Sequence, residues 1–95
     1  MKRKYVLPRP YTELGDFLAE KRIAAGFTQR EVTDTLGYSS AQFCSNWESG
    51  ISYPPLKKMR TILKMYNAPA TKVIDLIMAA ERSRLLVGLG NIRRA

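Results

Sequence analysis

The stretch FTQREVTDTLGYSSAQFCSNWESG, Phe27 to Gly50, decides the fold. Thr28-Gln29-Arg30-Glu31 has the form of a capping box, in which the Thr28 hydroxyl accepts from the Glu31 amide and the Glu31 carboxylate reaches back to the Thr28 amide. A helix therefore starts there, directly after the left-handed stop that Gly26 offers its predecessor. It runs only to Leu36, because Gly37 ends it, and Val32 and Leu36 share one face at i, i+4. After Tyr38-Ser39-Ser40, where either serine can cap, a third helix is expected from Ala41 to Ser49, closed by Gly50.

Two short helices about a glycine-bearing turn form a helix-turn-helix, which any small helical bundle can also contain. Upstream, Leu14, Phe17, Leu18 and Ala24 recur at helical spacing from Tyr11, while Glu13, Asp16, Glu20 and Lys21 fall mostly elsewhere. Downstream, Pro54-Pro55 suits the first turn of a fourth helix whose apolar stripe is Leu56, Met59, Ile62, Leu63 and Tyr66. Asn67 and Pro69 separate it from a fifth helix over Ala70 to Val87, and the tail GLGNIRRA is expected to fray. With no strand alternation and no internal repeat, the expected class is all-α. The chain divides into a basic extended arm (1–10), a helical core (11–67) and a C-terminal helix with tail (68–95).

Ninety-five residues with 45% apolar content suit one hydrophobic core. Sixteen Lys+Arg against 8 Asp+Glu leave a net charge of +8, which favours a polyanionic partner, nucleic acid ahead of an anionic membrane. No apolar run approaches the roughly 20 residues that cross a bilayer, and MKRKYVLPRP lacks a signal core, so a cytoplasmic protein is expected. One cysteine and no histidine remove an internal disulfide, a Cys/His zinc cluster and histidine-dependent nucleophiles. No enzyme, metal or cofactor is expected.

Phe43, Cys44 and Trp47 mark the third helix's expected buried face; Gln42, Ser45, Asn46 and Ser49 fall opposite, with Ala41 near the start. A merely solvated helix carries Lys and Glu on its wet face, yet Ala41 to Ser49 offers only Glu48 as a charge. Amides and hydroxyls are poor helix formers but good partners for base edges, and small side chains let a helix enter a groove. The bland alternative is a polar surface with no partner.

The order and spacing of Lys21-Arg22, Gly26, Thr28-Gln29, Leu36-Gly37 and Ser45-Asn46-Trp47-Glu48 before Gly50 resemble the lambda-repressor-like helix-turn-helix family, over Leu14 to Tyr66. The resemblance implies a compact five-helix domain that puts its third helix into the DNA major groove. By position it implies Gln42 and Asn46 as leading base readers, Ala41 and Ser45 as secondary ones, and Gln29 as a phosphate contact. Ser40 falls to phosphate or base, Ser49, Ser52 and Tyr53 to the DNA backbone, and Arg22 with Glu48 to a partly buried ion pair. One departure stands out: Gly37 to Trp47 is one residue longer than in the commonest members. With the extra residue in the Tyr38-Ser39-Ser40 turn, Cys44 takes a buried position and Phe43 falls near the boundary; placed elsewhere, it rotates the outward set by about 100°.

Outside the motif, Lys57 or Lys58 either reaches phosphate or solvates the fourth helix, and Lys2, Arg3 and Lys4 are candidates for a minor-groove arm. Cys44 reads as a small core residue rather than a redox switch. The fifth helix has two apolar stripes, one through Val73, Leu76, Ile77 and Ala80, the other through Ile74, Met78, Leu85 and Leu89. A core needs one, so the surplus points to a homodimer; the alternative folds the residues after Arg84 back on the core. The function expected is a bacterial or phage transcriptional regulator, a repressor on a near-palindromic double-stranded operator. An antitoxin-type autoregulator with a regulatory protein partner, a protein-binding adaptor using Phe43 or the fifth helix, and RNA binding through the arm are the alternatives.

Overall fold

The computed structural model describes residues 8–90; the arm cations Lys2, Arg3 and Lys4 and the tail beyond Gly90 lie outside the described residues. Five helices, α1 (Thr12–Ala25), α2 (Gln29–Leu36), α3 (Gln42–Glu48), α4 (Leu56–Tyr66) and α5 (Ala70–Leu89), make up the chain, with no strand among the described residues. The class is all-α, as the periodicity requires.

The stops are where the sequence puts them. Gly26 and Gly37 take φ of 85° and 86°, a left-handed conformation that a Cβ would oppose. Both halves of the capping box form: Thr28 Oγ1 accepts from the Glu31 amide at 3.0 Å, and Glu31 Oε1 accepts from the Thr28 amide at 2.8 Å. The core draws Leu14 and Leu18 from α1, Val32 and Leu36 from α2, Cys44 and Trp47 from α3, Met59, Ile62 and Tyr66 from α4, and Val73 from α5.

Several expectations are corrected. Ala24 does not join the core, because the last three residues of α1, Ile23 to Ala25, are exposed. The two prolines precede α4 instead of opening it, Pro55 taking the cap position with ψ of 154°. Leu56 is 81% exposed; it begins α4 and lines an apolar groove between α4 and α5 rather than the core. The bounds of α3 and α5 agree with expectation to within two residues, Ala41 and Ser49 being the caps of α3 and α5 continuing to Leu89.

What positions α3 is a close approach of backbones. A Cβ on Gly15 would stand 2.7 Å from the Trp47 carbonyl oxygen, and one on Gly50 would stand 2.7 Å from the Thr12 backbone. Only hydrogen at both places lets the start of α1 lie against the end of α3, where the Tyr11 amide donates to the Gly50 carbonyl at 3.0 Å.

Candidate nucleic-acid interface

The inner side of α3 is fixed by Glu48. Arg22 Nε donates to Glu48 Oε2 at 2.6 Å and Nη2 to Oε1 at 3.1 Å, a two-pronged ion pair with side chains 13% and 9% exposed. Arg22 Nη1 donates to the Phe27 carbonyl at 2.7 Å, and Gln29 Nε2 donates to Glu48 Oε1 at 2.9 Å. The pair implied by the resemblance is therefore present and largely buried, tying α1, the α1–α2 turn and the start of α2 to the end of α3. The hydrogen bond to Glu48 raises the Arg22 pKa above its ordinary value against the opposing effect of burial. Cys44 donates from Sγ to Glu48 Oε2 at 3.4 Å, and burial, reinforced by the Glu48 charge, pushes its thiol up to about 12. A thiol so placed is a neutral core group.

The outer side carries the uncharged set. Gln42 Nε2 donates to Asn46 Oδ1 at 2.8 Å across one helical turn. That bond leaves the Gln42 carbonyl as an acceptor and the Asn46 amide as a donor, side by side, the complement a base edge such as adenine N6/N7 presents. Ser45 is half-buried beside them, and Ser49 donates from Oγ to the Asn46 carbonyl at 3.2 Å, closing the helix end. Ser40 Oγ accepts from the Gln42 amide at 3.0 Å, so it is the serine that starts α3, and Ala41 follows it half-buried. Cys44 and Trp47 point inward at 1% and 4% exposure while Gln42 and Asn46 share the outward side.

Around this face the other expected residues are distributed unevenly. Gln29 opens α2 but has one amide N–H engaged by Glu48. Ser52 and Tyr53 are half-buried in the loop after Gly50, where with Pro8, Pro10, Tyr11, Ile51 and Arg84 they line a cleft of about 500 Å³. Tyr53 is packed edge-on against Tyr11, ring centroids 4.8 Å apart, and the Tyr11 hydroxyl donates to Glu81 of α5 at 2.5 Å. Lys57 is exposed at the start of α4, whereas Lys58 donates to the Leu36 carbonyl at 2.8 Å and lies 5.3 Å from the Tyr38 ring centroid. A cation there satisfies the end of α2, a structural use that leaves Lys57 as the available one of the two.

Phe43 sits at the boundary that the longer turn implies: it is 41% exposed, because Tyr38 from the turn occupies the space beside Trp47 and Phe43 stacks outside Tyr38. Sequence reasoning missed the roles of Gly15 and Tyr11 and the bond from Lys58 to the Leu36 carbonyl. The one available signal was the glycine, which weakens a helix interior unless something must come close.

On α5 the two stripes separate as expected. Val73 is buried and Leu76, Ile77 and Ala80 are half-buried against the core, whereas Ile74, Met78, Leu85 and Leu89 are 55–65% exposed. Every residue from Arg82 to Gly90 is exposed, so the last turns of α5 do not fold back.

No helix among the described residues is long and apolar enough to cross a membrane, and no His/Cys/Asp/Glu group among them could hold a metal ion. Neither curated proteins nor solved structures give a match to the chain. A helix-turn-helix family model matches residues 18–73, more than half of the chain and all of α2, α3 and α4. That family comprises DNA-binding regulators rather than enzymes. Together with a third helix braced from within and lined outside by amides and hydroxyls, the match identifies the chain as a member of the lambda-repressor-like helix-turn-helix family of DNA-binding transcription regulators.

Proposed function

We propose that the protein is a sequence-specific regulator that represses transcription by occupying a near-palindromic double-stranded operator as a homodimer, acting on the nucleoid of a bacterial or phage-infected cell. The observation that carries this reading is the hydrogen-bonded Gln42–Asn46 pair on the outer face of α3. These two read bases, with Ser45 and Ala41 in support; Gln29, through its remaining N–H and the amides at the start of α2, meets a phosphate together with Ser40, Ser49, Ser52, Tyr53 and Lys57. Lys2, Arg3 and Lys4 belong to an N-terminal arm (1–10) suited to the minor groove, ahead of a DNA-binding core (11–67).

The C-terminal unit (68–95) dimerises through Ile74, Met78, Leu85 and Leu89. A two-fold then presents two α3 helices to half-sites about 34–36 Å apart. A second reading, an autoregulator of the antitoxin kind that also holds a protein partner, is favoured by the groove lined by Leu56, Met59, Leu63, Val73, Ile74 and Ile77.

Electrophoretic competition at several salt concentrations tests the proposal. Preference for one short near-palindrome over random duplex should persist as salt rises while overall affinity falls. Equal affinity for all duplexes at every salt concentration would sink it.

A further inference from the structure

Phe43 stands at the border between the outer and inner sides of α3. Asn46 follows at i+3, so Phe43 neighbours the Asn46 side of the outward amide pair. The core does not require it there. Tyr38 packs edge-on against Trp47 with centroids 5.6 Å apart, and Phe43 lies outside Tyr38, stacked at 4.3 Å with 26° between the ring planes. Phe43 is thus the outermost of three layers and keeps 41% of its surface exposed. The layers behind it are held: Lys58 reaches over Tyr38 at 5.3 Å while bonded to the Leu36 carbonyl. A ring fixed from behind has little freedom left to lose when it meets a partner.

Amides supply the polar half of base recognition, and an exposed ring beside them supplies the apolar half. The apolar group on a base edge in the major groove is the 5-methyl of thymine. We propose that Phe43 is a specificity residue that packs against a thymine methyl, in the A·T pair met by Gln42 and Asn46 or in the adjoining pair. The inference rests on α3 being the base-reading helix. It adds that the half-site requires thymine at a defined place for its methyl, beyond whatever hydrogen bonds the pair offers.

Deoxyuridine removes that methyl and leaves every hydrogen-bonding group in place, so a preferred duplex carrying uracil at one thymine position at a time isolates the contact. For the natural protein, uracil at one or two positions per half-site should weaken binding about fourfold per methyl, the equivalent of about 0.8 kcal/mol for one buried methyl group. For Phe43→Ala the thymine and uracil duplexes should bind alike, with folding checked by thermal melting. Phe43→Gln, which removes the ring but keeps bulk, serves the same comparison if alanine impairs folding. Tolerance of uracil at every position by the natural protein, or the same loss in both variants, would overturn the proposal while leaving α3 as the reading helix. Absence of any preferred duplex before uracil is introduced would instead refute the DNA reading on which it rests.

Discussion

Helices α3 and α5 both leave side chains uncovered, in opposite chemistries. The seven residues of α3 are locked on their inner side by Arg22, Gln29 and the close approach at Gly15, and they expose uncharged amides and hydroxyls. The twenty residues of α5 contribute Val73 as their one fully buried side chain, and they expose Ile74, Met78, Leu85, Leu86, Val87 and Leu89. Water is the poorer partner for both surfaces, since the first lacks the charge that a solvated helix carries and the second is apolar. The difference is in what would complete them: a rigid polar face suits base edges in a groove, and an apolar stripe suits a second protein helix.

The comparison is broken most severely at Glu48. Glu48→Ala leaves a buried guanidinium and the Gln29 amide without their acceptor, and should cost about 3–5 kcal/mol in urea unfolding, against a total of about 5–15 kcal/mol for an ordinary domain. Gly15→Ala comes next, because the new methyl meets backbone that cannot swing aside; a loss of about 1–3 kcal/mol should accompany weaker binding to all duplexes, since α3 shifts as a unit.

Gln42→Ala and Asn46→Ala sharpen the comparison from the other side. Each should change unfolding free energy by less than about 0.5 kcal/mol, yet remove about 1–3 kcal/mol of discrimination at its own base position. Unchanged base preference in both would show that the outward face of α3 does not read DNA. On α5, Leu85→Asp with Leu89→Asp should convert a dimer to a monomer in sedimentation, with the helical content retained and the melting temperature lowered only by the lost association; a protein already monomeric would retire the dimer.

A pH-dependent effect concerns Cys44. Its thiol titrates at 9.0 in the absence of a special environment and at about 12 in the fold, so as pH rises the unfolded chain loses this proton first. The stabilising contribution is therefore whole below 9.0 and is lost as pH rises toward about 12. The stability gap between the natural protein and Cys44→Ala should narrow accordingly over that range, as read by urea unfolding at each pH. A gap that is constant or widens would mean the thiol is more accessible than its burial indicates.

Local chemistry made much of this fold legible. Gly26, Thr28, Glu31 and Gly37 act within a few residues of themselves, so the bounds of α2 follow from sequence, and i, i+4 spacing separated the two stripes of α5. Contacts that bring distant segments together were not legible in spacing. Gly15 answers to Trp47 and Glu48, Lys58 answers to the Leu36 carbonyl, and Tyr11 answers to Glu81, none of them a helical neighbour. The packing of Tyr38 on Trp47, which keeps Phe43 outside, is not visible in periodicity for the same reason. Arg22 and Glu48 were anticipated across 26 positions only because the resemblance links them.

Selection of bound duplexes from a random pool bears most directly on the central claim, that the uncharged outer face of α3 reads sequence. The structure-based account predicts enrichment of one short half-site containing an A·T pair, repeated with two-fold symmetry about one helical turn apart, and loss of that enriched pair for Asn46→Ala. A pool that stays random through successive rounds, or an Asn46→Ala variant that enriches the same half-site, would contradict it.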